Sequence, residues 1–353
     1  MNNEEHKKVE MAKIVKAIRD TGFVDEEHFE AFKEVLIPPG SVAAVERTIK
    51  GLSEEDEFAL MCRLMGTTTH LVALEQRPIL LGDYLIPDFL ARFQPGCSAD
   101  GFSSEDSSGC RCFVEVKSTQ EDKFRTGGSR LRRLRNLADQ FGLPLLFAVR
   151  FLMFEQNAVW VIVEDSNREA TSLAVTLEDW INGIRHILWD ESWYMLMPGI
   201  YFIFVFDLDY DGLGVRHQEY GVMIEVQIVN NGKVTSFSND EATIYAAFLE
   251  AFSLEEVETK RQGSTTYQVL VPQMLVCSMA DAVYKFNRLP CDERGQSTYD
   301  ASGMIARLSQ EFYDRDFVDK VALSLANQGF LGYTVVNEKE VRLKKWRRYG
   351  GKK

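Results

Sequence analysis

Two short stretches carry the residue types that metal-assisted hydrolysis needs. In Tyr84-Leu-Ile-Pro-Asp88-Phe89 a carboxylate closes an apolar run, and in Cys112-Phe-Val-Glu-Val-Lys117 a carboxylate and an ammonium interrupt another. Residues i and i+2 of a strand point to one face, so Glu115 and Lys117 project together. Carboxylates and carbonyls are the oxygen donors that hard divalent cations prefer. Such a cation lowers the pKa of bound water and neutralises charge on a phosphate, which phosphodiester hydrolysis requires. The same residues also suit the wet faces of two half-buried strands, and the triplet alone does not separate the two readings.

The elements around these stretches narrow the choice. Residues 94–109 are rich in Gly, Ser and Asp and read as a connecting loop. Gly128 to Phe141 is a basic segment with helical spacing, followed by the strand-like Pro144-Leu-Leu-Phe-Ala-Val-Arg-Phe151 and Trp160-Val-Ile-Val163. Upstream, Ser53-Glu-Glu-Asp56 has the form of a capping box opening a helix that ends at Gly66. Its apolar stripe is Phe58, Met61, Leu64 and Met65. Leu71 to Leu81, Gly82 to Phe93 and Arg111 to Thr119 read as three strands. Pro87-Asp88, Glu115-Val116-Lys117 and the Leu146-to-Arg150 strand ending near Trp160, in this order, resemble the PD-(D/E)xK nuclease superfamily. The branch is the one that includes Holliday-junction resolvases and restriction endonucleases, and the resemblance covers about residues 51–165.

That resemblance implies an αβββαβ core and a site for Mg2+, with Mn2+ able to substitute. It assigns Asp88, Glu115 and the carbonyl of Val116 as metal ligands. A glutamate of the first helix joins them, with Glu57 the choice and Glu54 the fallback. Lys117 would contact the attacking water or the phosphate. Arg130 and Arg133 fall on the helix where junction-resolving relatives commonly carry a glutamine, which leaves substrate preference open.

The chain has 353 residues, enough for two or three domains with cores of their own. Its net charge of −13 excludes a protein coated in basic residues for nucleic acid. The positive charge is clustered instead. Lys123, Arg125, Arg130, Arg132, Arg133 and Arg135 form one group, and Arg342, Lys344, Lys345, Arg347, Arg348, Lys352 and Lys353 another. The six cysteines form no disulfide framework and no C-x-x-C pair. Met1 to Lys8 is polar and no apolar run is long enough for a bilayer, so the expectation is a cytoplasmic protein without membrane contact.

The expected class is α/β (α+β), divided into a helical segment over 1–50, the nuclease core over 51–198, a β-rich module over 199–275 and a winged-helix-like domain with a basic tail over 276–353. Trp180 to Leu188 reads as one amphipathic helix, and Asn230-Asn-Gly232 as a hairpin turn. Asp207-Leu-Asp-Tyr-Asp-Gly212 lacks the twelfth-position glutamate of a calcium loop and follows a strand, so it reads as a polar loop. On the third helix of the C-terminal part, Lys320, Ser324 and Asn327 share a polar face suited to the major groove, with Arg342 and Lys344 placed for the backbone. Contact with a protein is the equal alternative for that domain, and a homodimer is a further expected assembly. The leading functional reading is a metal-dependent endonuclease acting on DNA in restriction, defence, transposition or junction resolution. The alternatives are a non-cleaving nucleic-acid-binding or regulatory protein on a nuclease-like core, and an RNA nuclease.

Overall fold

Apolar residues at helical spacing open the chain, and the first elements follow from them. A computed structural model describes residues 3–21, 25–37, 41–75, 82–94, 109–154, 157–212, 214–238, 240–287, 300–306 and 313–335. Helices α1 (Asn3–Thr21), α2 (Glu26–Leu36) and α3 (Val42–Met65) bury Ala12, Val15, Phe29, Ile37, Val45 and Ile49 against one another. The Asp25 side chain caps α2 by accepting from the His28 amide. The helix expected to begin at Ser53 begins eleven residues earlier, at Val42. Ser53 is an interior residue whose Oγ donates to the Ile49 carbonyl, one turn back, so the hydroxyl does not cap. Val45 and Ile49 extend the apolar stripe toward α1, and that packing carries the helix through the apparent start signal. Gly66, at φ +70°, ends it.

The next elements are β1 (Thr68–Ala73), β2 (Phe89–Phe93), β3 (Cys110–Thr119), β4 (Lys123–Gly127), α4 (Gly128–Phe141), β5 (Leu145–Phe154) and β6 (Asn157–Glu164). The expected order of helix, three strands, helix and strand is present, with the short β4 added. Among the described residues one sheet has the order β1-β2-β3-β5-β6. β3 and β5 are parallel and joined through α4, while the other neighbours are antiparallel. The period of two divides this sheet. Val114, Val116, Leu146, Ala148, Trp160 and Ile162 pack with Phe58 and Met61 of α3. Phe113, Phe147 and Val149 pack with Leu131, Leu134 and Ala138 of α4. β1 and β2 are shorter than expected. Residues 82–88 form no strand, and 76–81 lie outside the described residues.

β7 (Ser172–Thr176) pairs with β4. Two single turns, α5 (Asp179–Asn182) and α6 (Arg185–Leu188), replace the one helix expected over 180–188. Gly183 is the reason. A Cβ there would collide with the carbonyls of Asp179 and Ile162, and Ile184 donates to the Ile162 carbonyl, so the chain turns against β6.

The rest comprises β8 (Ser192–Leu196), β9 (Tyr201–Asp207), β10 (Arg216–His217), β11 (Gly221–Asn230), β12 (Lys233–Ser238), α7 (Asp240–Leu249), β13 (Leu254–Gln262), β14 (Thr265–Pro272), β15 (Val276–Ser278), α8 (Met279–Phe286), α9 (Ala301–Ala306), α10 (Arg315–Asn327) and β16 (Leu331–Val335). A second sheet has the order β10-β11-β9-β14-β13, with β12 also on β11. The expected turn at Asn231-Gly232 joins β11 and β12, both residues having positive φ. β8 lies between β15 and β16 in a third sheet. β8, which lies within the span expected for the nuclease core and was not expected as a strand, thus pairs with β16, within the span expected for the winged-helix-like domain, where 331–336 and 341–343 read as a hairpin. The other half of that hairpin, 341–343, lies outside the described residues. Buried side chains run without a break from Phe58 through Phe204, Phe248 and Phe286 to Leu331. The boundaries expected at 198 and 275 therefore cross one continuous core. Among the described residues no helix is long and apolar enough to cross a membrane.

Candidate active site

Antiparallel register assembles the centre. Phe89 pairs with Val114, so the next rung sets Asp88 opposite Glu115 on the face that also carries Lys117. Asp88 is buried, and the Val116 amide donates to its Oδ2 at 2.6 Å. The Lys117 ammonium lies 3.4 Å from Asp88 Oδ2 and 2.8 Å from Glu115 Oε1, and donates to the Val116 carbonyl at 2.5 Å. Arg130, in the first turn of α4, donates from Nη2 to Glu115 Oε1 at 2.6 Å. Glu115 is fully buried, and its Oε2 has no hydrogen-bond partner.

Burial pushes the Asp88 carboxyl up to about 6; Lys117 opposes that rise and Glu115 adds to it. Burial also acts to raise Glu115, but Lys117 and Arg130 hold it below the ordinary carboxylate range. Burial acts to lower Lys117, yet Asp88 and Glu115 keep it above its ordinary value. The centre thus holds at least one firmly ionised carboxylate and one firmly charged ammonium.

The helix acid is the main correction. Glu57 does not join Asp88 and Glu115. Its carboxylate forms a fork with Arg150, at 2.6 Å from Nε and 2.7 Å from Nη2, and accepts from Trp160 Nε1 at 3.1 Å. Arg150 pairs with Ser118 in register, and Trp160 packs with the α3 core, so this cluster is on the sheet face opposite Glu115. Arg150 also donates to the Tyr284 hydroxyl of α8. Glu54 is buried, and its Oε1 has no hydrogen-bond partner. The α3 acid that feels the centre is Glu55, which sequence reasoning missed. Burial raises it to about 8, with Asp88 and then Lys117 and Glu115 as its strongest charged neighbours. Its signal was its place one turn before Phe58 and Ala59, obscured by the apparent cap at Ser53.

The basic segment is largely a clamp. Asp83 pairs with Arg132 and Arg133 at 3.0 Å each, Arg133 Nη2 donates to the Tyr84 carbonyl, and Asn136 donates to the Asp83 carbonyl. These contacts strap the segment leading to Asp88 onto α4. Arg135 is half-buried in a fork with Asp165 and donates to the Ala170 carbonyl, so it holds a loop. Lys320 and Asn327 are exposed on α10. Ser324 between them bonds to the Tyr245 hydroxyl, so the shared polar face is interrupted. Arg342 and Lys344 lie outside the described residues.

Among the described residues no group of three or more His, Cys, Asp or Glu side chains is arranged to hold a metal ion. The centre offers Asp88, Glu115 with one free buried oxygen, and the Val116 carbonyl. That donor set fits Mg2+, which takes one or two carboxylates and leaves its other positions to water and phosphate.

No family model matches the chain, and no curated protein matches it. One solved structure to which it is similar is the Holliday junction resolvase Hjc of the archaeal hyperthermophile Archaeoglobus fulgidus. The two are 14% identical, the match covers 38% of this chain and 93% of that one, and the TM-score is 0.27. At that level of likeness the meaning of the site rests on its own geometry.

Proposed function

We propose that the sheet β1-β2-β3-β5-β6 carries a divalent-metal-dependent nuclease site that hydrolyses DNA. The observation that carries this reading is Asp88 opposite Glu115 on adjacent strands, with Lys117 against both and Glu115 Oε2 buried without a partner. An ionised carboxylate oxygen is costly to bury unpaired, and a cation ligand removes that cost. Asp88, Glu115 and the Val116 carbonyl would hold Mg2+ or Mn2+, with Glu55 as the nearby helix acid. The ion would supply a hydroxide at neutral pH and neutralise phosphate charge. Lys117, held by three oxygens, would direct its ammonium toward the attacking water or the scissile phosphate. Arg130, half exposed beside Glu115, would meet a phosphate oxygen.

The test is purified protein with supercoiled, linear, branched and single-stranded DNA, and with RNA, in Mg2+, Mn2+ or EDTA. Cleavage that needs the cation and is lost in Asp88→Ala, Glu115→Ala and Lys117→Ala supports the reading, and full activity in EDTA overturns it. A second reading, a nucleic-acid-binding protein that does not cut, draws on the ion pairs in which Arg130 and Lys117 already hold Glu115. Cation-independent binding without cleavage would favour it.

A further inference from the structure

The guanidinium of Arg130 lies where a divalent cation on Glu115 would compete with it. Arg130 and Lys117 converge on the same oxygen, Glu115 Oε1, and leave Oε2 without a partner. The two cations differ in exposure. Lys117 also contacts Asp88 and the Val116 carbonyl, and its side chain is 26% exposed. The Arg130 side chain is 50% exposed, entering the centre from solvent. Together they match Asp88 and Glu115 charge for charge, so an added divalent cation would meet like charge across short distances. The cation with a way out is Arg130. Its planar fork also suits phosphate oxygens, which it binds in pairs.

We propose that Arg130 is an exchangeable counter-ion. It caps Glu115 in the resting protein, and it passes to a phosphate oxygen of the nucleic acid when Glu115 takes a divalent cation. This rests on the reading of Asp88 and Glu115 as a metal site. Cation and nucleic acid then tighten each other's binding, because each relieves the position that the other needs, and linkage makes the effect reciprocal.

The experiment measures binding, not cleavage. Free Mn2+ is counted by electron paramagnetic resonance in titrations of the full chain, alone and with a short duplex carrying phosphorothioate linkages. Intact protein, Arg130→Gln, Arg130→Lys and Glu115→Gln are compared, with circular dichroism checking that each is folded. Without duplex, Arg130→Gln is expected to bind Mn2+ about tenfold more tightly than the intact protein, with Arg130→Lys between them. The duplex is expected to tighten Mn2+ binding about tenfold for the intact protein and to leave Arg130→Gln nearly unchanged. Mn2+ binding that needs Glu115 but is unchanged or weaker in Arg130→Gln, or is indifferent to the duplex in the intact protein, overturns the exchange and leaves the metal site standing. Mn2+ binding indifferent to Glu115→Gln overturns the metal site and this inference together.

Discussion

Asp88, Glu115 and Lys117 are three residues whose value depends on one another. Each carboxylate is buried, and Lys117 is the cation they share, so removing one member leaves unbalanced charge as well as a missing ligand. Asp88→Asn and Lys117→Met are expected to lower the cleavage rate about 100-fold or more while the far-ultraviolet circular dichroism stays unchanged. Metal ligands must be deprotonated, so cation affinity should rise with pH through about 6, where Asp88 ionises. A Mn2+ titration from about pH 5 to about pH 8 checks this, and a flat profile counts against Asp88 as a ligand. Glu55 makes the opposite kind of statement, about stability without metal. Its folded value of about 8 is above its ordinary 4.5, so the folded state binds the extra proton and loses stability as pH rises from about 4.5 to about 8. Glu55→Gln mimics the protonated form. Urea denaturation should give it a stability gain over the intact protein that is near zero at about pH 4.5, grows with pH, and levels off above about 8.

At the scale of elements, α3 serves both faces of its own stripe. Glu57, Arg150 and Trp160 make a buried cluster on the α3 side of the sheet, tied to α8 through Tyr284. Glu57→Gln should cost about 3 kcal/mol of stability, measured by urea denaturation, because it leaves Arg150 without its counter-charge. At a temperature where that variant is folded, cleavage should persist, since the cluster is on the face opposite Glu115. Helix α4 has a comparable division of labour. Arg135 is consumed by Asp165 and the 165–170 loop, whereas Arg130 and Arg132 reach solvent. Replacing Arg130, Arg132 and Arg133 together should flatten the salt dependence of DNA binding, by roughly 0.9 in the log–log slope for each phosphate that is no longer neutralised. Arg135→Gln should weaken folding and leave the slope alone.

Across the whole molecule, the parts are joined through buried polar groups as well as apolar ones. Arg185 pairs with Glu191, donates to the Trp160 carbonyl and Ser278 Oγ, and lies over the rings of Trp180 and Trp189. Burial raises Glu191 to about 7 even though Arg185 opposes it, so the pair depends on the surrounding elements to exclude water. On the other side, Lys16 of α1 meets Asp56 of α3 and Ser302 of α9. A fragment ending at residue 198 would expose β8, strip Ser278 and Asp281 from Arg185, and open the core that runs from Phe58 to Leu331. Such a fragment is expected to aggregate or to lack a cooperative urea transition, while the full chain unfolds in one step. Two separated transitions in the full chain would contradict the shared core.

Apart from the short β4, the sequence by itself determined the order of elements from α3 to β6 and the meeting of Asp88, Glu115 and Lys117. Strand periodicity is local: it puts Glu115 and Lys117 on one face whatever surrounds them, and a hairpin-like return brings Asp88 alongside. The Asn231-Gly232 turn was legible for the same reason, since positive φ at two successive residues is a local demand. The choice among Glu54, Glu55 and Glu57 was decided only by tertiary structure. Three acids within one turn of a helix point in different directions, and which of them meets the site depends on how α3 is rotated against the sheet. The start of α3 was likewise set by packing of Val45 and Ile49 on α1, which overrode the signal at Ser53. The partners of β8 and β16, and those of Arg135 and Arg150, are distant in the chain, and no spacing along the sequence encodes them. Burial chose them, because each of these groups required a counter-charge or a hydrogen-bonding edge once water was excluded.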